Sequence, residues 1–184
     1  MKHVVRKASR FAVVSLFVLV NLMTVMPCRD RVGAAGFDEG ILLAGLFGSG
    51  AKTPAPDFEL QDLGGNSVKL SQFRGDRPVM LYFWATWCPA CISLKPHLVK
   101  VREKIPEKDM QILGINVGEG DSLQRVKRYQ EGHPVPWPTL YDTGSKVART
   151  YRVQGIPLFV LIDKEGMIVY QGNDLPQDPL KLLK

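Results

Sequence analysis

Residues 78–85, PVMLYFWA, form an unbroken apolar run that is too short for a helix and rich in aromatics, which predicts a central strand covered on both faces. The period then changes. Cys91, Leu94, Leu98, Val101 and Ile105 recur at steps of three and four, laying one apolar stripe along a helix. Pro96 lies inside it and predicts a kink, because it removes a backbone donor and crowds the preceding turn. Upstream, FELQD and VKLSQF flank LGGNS and read as two short strands joined at a Gly-Gly-Asn turn. Downstream, MQILGINV predicts a strand, and Asp121 with Gln124 opens a second helix in the manner of a capping box. PTLYD follows as a short strand, GSKVARTY as a short helix, and PLFVLIDKEGMIVYQG as two strands around a turn at Asp163 to Gly166. Strands alternating with helices predict an α/β layer structure, with a mixed central sheet flanked by helices and a hairpin at one edge.

A chain of 184 residues supports a domain with a full hydrophobic core, so its three cysteines are not needed to compensate for a small one. The formal charge of +6 is unevenly spread. Residues 1–35 hold six of the 24 Lys/Arg and one of the 18 acids, and the remaining eighteen and seventeen leave residues 36–184 at +1. That near-neutral body lacks the basic stripe of a nucleic-acid binder, which excludes nucleic acid as a partner.

The basic residues at the start precede FAVVSLFVLVNLMTVM, sixteen residues without a charge, in the order of the basic and apolar regions of an export signal. Residues 1–35 are therefore expected to be a signal peptide, with small residues for cleavage in VGAAG, or a short N-terminal membrane anchor. Either way the body is expected outside the cytoplasm, in the periplasm or an equivalent compartment. Cys28 follows the apolar run where a lipoprotein signal puts its modified cysteine, but Pro27 stands where a small residue is normal. Residues 36–55 shift from small and apolar to Pro-rich and read as a linker, leaving 56–184 as the folded domain.

Cys88 and Cys91 are thus the working thiols, in WCPAC at the junction of strand and helix. A cysteine at a helix's first turn faces unpaired backbone donors and the positive end of the dipole, which favours its thiolate. Pro89 suits the position just inside a helix start. With Pro89 and Ala90 between them, the cysteines are brought together by the turn and can close a disulfide. An exposed attacking sulfur, Cys88, then has a shielded resolving partner, Cys91. A structural staple over so small a loop gains little. A zinc site would need two further ligands, for which His97 and His133 stand without ligand spacing. Two thiols carry the electrons themselves, so no cofactor and no metal is expected.

FWATWCPAC after an apolar strand, Pro96 in the helix, VQGIPLFVLIDKEG downstream and APDFELQDLGGNSVKLSQFRG upstream resemble the thioredoxin superfamily, and within it the extracytoplasmic, membrane-associated proteins of the TlpA/ResA type. The resemblance implies a thioredoxin fold with an N-terminal β-hairpin, an inserted helical segment after the second core strand, and thiol-disulfide oxidoreductase activity. It implies that Trp87, Pro89 and Ala90 surround the redox pair and that Pro157 is a cis-proline facing it, with Ile156 offering backbone groups to an extended substrate. It further implies protein thiols and disulfides as substrates, apocytochrome c among them, reduction as the direction, and a membrane-embedded redox partner. This chain departs from the pattern twice. Leu94 stands where many members have Glu, and Tyr82 where thioredoxin keeps a buried Asp, so no general base for Cys91 is identified by sequence. Two other functions on related folds fit less well. A peroxiredoxin-like peroxidase keeps Thr where this chain has Ala85, with Thr86 one place too close. A Sco-like copper carrier spaces its cysteines by three residues and adds a distant His, for which only His133 is at hand.

Overall fold

The computed structural model describes residues 52–184; residues 1–35, expected to direct export, Cys28 and most of the expected linker lie outside the described residues. The apolar run becomes β4 (Val79–Trp84), every residue of it buried. It occupies the middle of a six-stranded sheet and pairs parallel with β5 (Gln111–Asn116) and antiparallel with β7 (Leu158–Ile162). Beyond β5 lies β6 (Thr139–Tyr141), parallel to it; beyond β7 lies β8 (Met167–Gly172), antiparallel, closing the expected hairpin. The far edge is β1 (Thr53–Pro54), paired with β8. These two residues fall within the stretch read as linker, and Ala55 after them is already buried.

The β2 (Glu59–Gln61) and β3 (Ser67–Lys69) hairpin forms its own two-stranded sheet. An Asp62–Leu140 bridge and a hydrogen bond from Leu63 N–H to the Thr139 carbonyl at 3.2 Å lay it along β6. The exposed edge of the large sheet is thereby covered, which removes a site for unwanted strand pairing.

Two crossovers build one helical layer. Helix α1 (Pro89–Lys104) joins β4 to β5 and α2 (Leu123–Gly132) joins β5 to β6. Lys95 of α1 lies against Trp84 of β4 and Tyr129 of α2, so both helices cover the same sheet face. On the opposite face Phe83 packs on Tyr151, which follows α3 (Lys146–Thr150). Helix α1 continues through Pro96 unbroken. Its inward face differs from the expected stripe: Cys91, Lys95, Leu98 and Arg102 are buried, whereas Leu94 and Val101 are half-buried. The two rows flank the same seam, and the long stems of Lys95 and Arg102 turn it toward the sheet. Arg102 Nη1 donates to the carbonyls of Ile105 at 3.0 Å and Met110 at 2.9 Å, closing the helix's end.

Helix α2 is capped by Ser122, whose hydroxyl accepts from Arg125 N–H at 3.3 Å. The expected box at Asp121 and Gln124 is not formed, because the Asp121 carboxylate is bound elsewhere. Helix α3 is held by Asp142, a fully buried carboxylate accepting from Val147 N–H at 3.1 Å and Ala148 N–H at 2.8 Å. Asp142→Ala leaves two buried donors without partners and should cost about 3 kcal/mol in urea unfolding. A loss below about 1 kcal/mol would mean that water replaces the carboxylate.

Candidate active site

Strand β4 ends at Trp84, and four residues later Cys88 stands as the N-cap of α1, with Pro89 at the helix's first position. The N–H groups of the first turn have no partner within the helix. The Cys91 N–H meets Cys88 Sγ at 3.1 Å, so the sulfur takes the place usually filled by a capping oxygen. Cys88 and Cys91 are joined in a disulfide, their Cα atoms 5.3 Å apart. Cys91 is completely buried, and Cys88 is only 4 % exposed. The sulfur expected to be exposed is therefore nearly covered in this oxidised state, and the accessible surface around it belongs to Trp87, Pro89 and Ala90.

The Ile156–Pro157 peptide is cis, and the Ile156 carbonyl oxygen lies 3.7 Å from Cys88 Sγ. This loop is braced from the end of β8. Asn173 Nδ2 donates to the Pro157 carbonyl at 2.7 Å and to the Gly155 carbonyl at 3.4 Å.

A second brace acts on the segment before the cysteines. The Asp121 carboxylate is fully buried. It accepts from Thr86 N–H at 2.8 Å, from the Thr86 hydroxyl, and from Asn116 Nδ2 at 2.8 Å. Hydrogen bonds to a buried carboxylate are stronger than neutral ones, so this carboxylate fastens the Ala85–Trp87 turn to the end of β5. Trp87, 51 % exposed, donates from Nε1 to the Glu119 carbonyl at 2.8 Å and lies on Gly120. Gly120 has φ +70, and a Cβ there would stand 2.7 Å from the indole nitrogen. Only glycine meets both conditions.

The two positions that depart from the family pattern are also defined. Tyr82 donates its hydroxyl to the Cys91 carbonyl at 2.8 Å and stacks on Phe159. Burial holds its phenol well above the ordinary range, so it stays protonated. Leu94 packs against the core from the helix's flank. One turn beyond Cys91 on the buried face stands Lys95, whose Nζ is buried without a hydrogen-bond partner among the described residues. It lies 4.0 Å from the Trp84 ring centre and 4.2 Å from that of Tyr129, and burial pushes its ammonium down to about 8. His133 stacks on Tyr129 at 4.3 Å and places Nδ1 3.0 Å from the Tyr129 carbonyl.

The structure thus brings together Cys88, Cys91, Trp87, Pro89, Ala90, Ile156 and Pro157, all anticipated. Asp121, Asn173 and Lys95 were not. The capping pattern draws Asp121 to the start of α2, Asn173 lies in a bend with no motif, and Lys95 falls outside the apolar periodicity of its helix.

The sequence model of the AhpC/TSA family matches residues 51–171. The thiol-disulfide oxidoreductase ResA of Bacillus cereus is 32% identical over 143 residues, which cover 76% of this chain and 79% of that protein. ResA of Bacillus subtilis is 30% identical over 155 residues, 84% of this chain and 82% of that protein. The thioredoxin domain of a thiol-disulfide oxidoreductase from Bacteroides vulgatus superposes with a TM-score of 0.62 at 28% identity, covering 72% of this chain and 97% of that domain.

Asp121→Ala removes the acceptor of the Thr86 N–H, the Thr86 hydroxyl and Asn116 Nδ2 together. The Thr86 amide hydrogen should exchange with solvent about tenfold faster while the core amides are unchanged. Unaltered exchange at Thr86 would remove Asp121 from the site's framework.

Proposed function

This chain belongs to the AhpC/TSA family and is a thiol-disulfide oxidoreductase of thioredoxin fold, and on that premise we propose that it reduces protein disulfides outside the cytoplasm with Cys88 attacking and Cys91 resolving. In the reduced protein the Cys88 thiolate attacks one sulfur of a substrate disulfide. That bond breaks, the second substrate sulfur leaves with the electron pair, and a mixed disulfide remains. The Cys91 thiolate then attacks Cys88 Sγ, releasing the first substrate sulfur and forming the Cys88–Cys91 disulfide.

The observation that carries this reading is the closed disulfide at the start of α1, with the Cys91 N–H on Cys88 Sγ and the Ile156 carbonyl beside it. A helix start favours a thiolate there over one in the apolar interior. Complete burial of Cys91 fits the resolving role, since a bulky substrate cannot reach it. The Ile156 carbonyl is available to pair with an extended substrate segment, and Trp87 offers an apolar surface at the rim.

The compartment, the substrate and the electron source extend the reading. The basic and apolar order of residues 1–35 supports export with either cleavage or retention as an anchor. Apocytochrome c, with paired cysteines in an unfolded chain, is the substrate class we assign. A membrane-embedded dithiol carrier would return the disulfide to its reduced form.

Two measurements test this. A Cys91→Ala variant should accumulate mixed disulfides with its partners in non-reducing gels, whereas Cys88→Ala should trap none; the reverse result would exchange the two roles. An alkaline phosphatase fusion after residue 50 should be active in cells, and an inactive fusion would sink the extracytoplasmic assignment.

A further inference from the structure

The resolving step requires the Cys91 thiol to lose a proton inside an apolar interior, where burial opposes the thiolate. Tyr82 is the nearest hydroxyl by contact, but it donates to the Cys91 carbonyl and its burial keeps it protonated. Lys95 is one turn along the same buried face as Cys91. Side chains four apart on a helix are neighbours, with Cβ atoms about 5–6 Å apart, and each leans toward the helix's N-terminus. Lys95 therefore leans over the turn that carries Cys91. Its Nζ rests against Trp84, the last residue of β4 and on the same face of that strand as Tyr82.

A buried ammonium without a counterion is costly. The groups packed around it do not neutralise it. From β4 comes Trp84, with Tyr82 two residues before it on the same strand face, and from α2 Tyr129, with His133 stacked on it. Asp121, at the start of α2, binds Thr86 and Asn116, with Arg125 3.9 Å away. Further along α1, Arg102 binds the Ile105 and Met110 carbonyls. Among the described residues no ion pair or hydrogen bond involves Lys95 Nζ. Ring faces hold a cation in place but supply no charge.

We propose that Lys95 is the charge partner of the Cys91 sulfur, its buried ammonium favouring loss of the thiol proton so that the reduced site holds a thiolate–ammonium pair. The inference rests on the resolving role given to Cys91 above. In the reduced enzyme the Cys91 thiol releases its proton to solvent, and the thiolate it leaves beside the Lys95 ammonium makes the pair neutral overall. When the thiolate gives its electron pair to Cys88 Sγ, the substrate sulfur leaves with the electrons of the broken bond. Lys95 is then left with an unmatched charge, and the departing thiolate takes a proton from solvent, leaving a thiol. Burial that lowers the ammonium to about 8 is the cost that a neighbouring thiolate would relieve.

The test follows the Cys91 Cβ resonance by carbon NMR across pH in the full-length chain carrying Cys88→Ala, kept under reducing conditions so that no disulfide closes between Cys91 and Cys28. Adding Lys95→Met should raise the Cys91 midpoint by about one pH unit, a tenfold smaller thiolate fraction at fixed pH. An unchanged midpoint overturns the proposal. A second reading leaves Lys95 in place: its Cε resonance should titrate at lower pH in Cys88→Ala/Cys91→Ala than in Cys88→Ala, and identical titrations also overturn it. Folding is checked on the oxidised protein. Between about 8 and the ordinary lysine value near 10.5 the unfolded chain binds a proton that the folded one lacks, so wild-type stability rises with pH across that window. Lys95→Met should therefore be more stable than wild type at pH 7, by a margin that shrinks toward pH 10. Coupled titrations alongside reversed disulfide trapping would exchange the cysteine roles yet keep the pair, whereas uncoupled titrations remove Lys95 alone.

Discussion

A helix begins with backbone N–H groups that have no partner inside it, and in this chain the side chain that answers them is a cysteine rather than a serine or aspartate. The 3.1 Å contact from Cys91 N–H to Cys88 Sγ places the sulfur at the positive end of α1. The same turn brings Cys91 round to meet it. Everything else in the fold serves to deliver that cap to a fixed place. Strand β4 is buried on both faces and cannot slide without moving its whole side-chain set. Because β4 is pinned between β5 and β7, the turn after Trp84 starts from a rigid edge.

A turn of four residues between strand and helix would still be loose if only its ends were fixed. Two polar braces act on the flanks instead, one from each side of the sheet's centre. Asp121 reaches from the end of β5 to Thr86, and Asn173 reaches from the end of β8 to the carbonyls of Gly155 and Pro157. The Asp121 carboxylate acts where water is excluded, so the loss of its bonds would leave buried groups without a partner, whereas Asn173 holds its loop from an exposed position. The disulfide thus sits between two loops tied to strands on opposite sides of β4. Substrate entry is left to the rim of Trp87, Pro89 and Ala90.

The parts of this arrangement that follow local chemistry were legible in the sequence. A run such as PVMLYFWA has few alternatives to a buried strand, and Cys-Pro-Ala-Cys after it carries its own helix signal. Ile156 and Pro157 were legible only through family resemblance, since nothing local distinguishes that proline from any other. Asp121 misled for a physical reason: a carboxylate just before a helix satisfies the capping pattern, but the tertiary partners Thr86 and Asn116 compete for it, and Ser122 was there to cap in its place. Lys95 and Arg102 were missed because hydrophobic patterning counts residues as wholes. Their aliphatic stems pack as core while their ends do separate work. Strand β1 has only two residues, too few to show any period.

The replacement of carboxylates by Leu94 and Tyr82 changes more than the identity of a base. A buried carboxylate beside a thiol opposes the thiolate by charge, so its help in moving the proton comes at the expense of the sulfur's ionised form. A neutral phenol and a leucine impose no such opposition, and a buried ammonium reverses its sign. Lys95 could not serve this purpose at an exposed position, where water would screen it and keep it permanently protonated. It needs the cover of Trp84 and Tyr129, whose ring faces tolerate a cation without neutralising it. The inserted α2 segment that supplies Tyr129 therefore does more than lengthen the sheet. By closing over Lys95 it keeps water from solvating the amine, and the cost of leaving that charge unmatched becomes a driving force for the thiolate beside it.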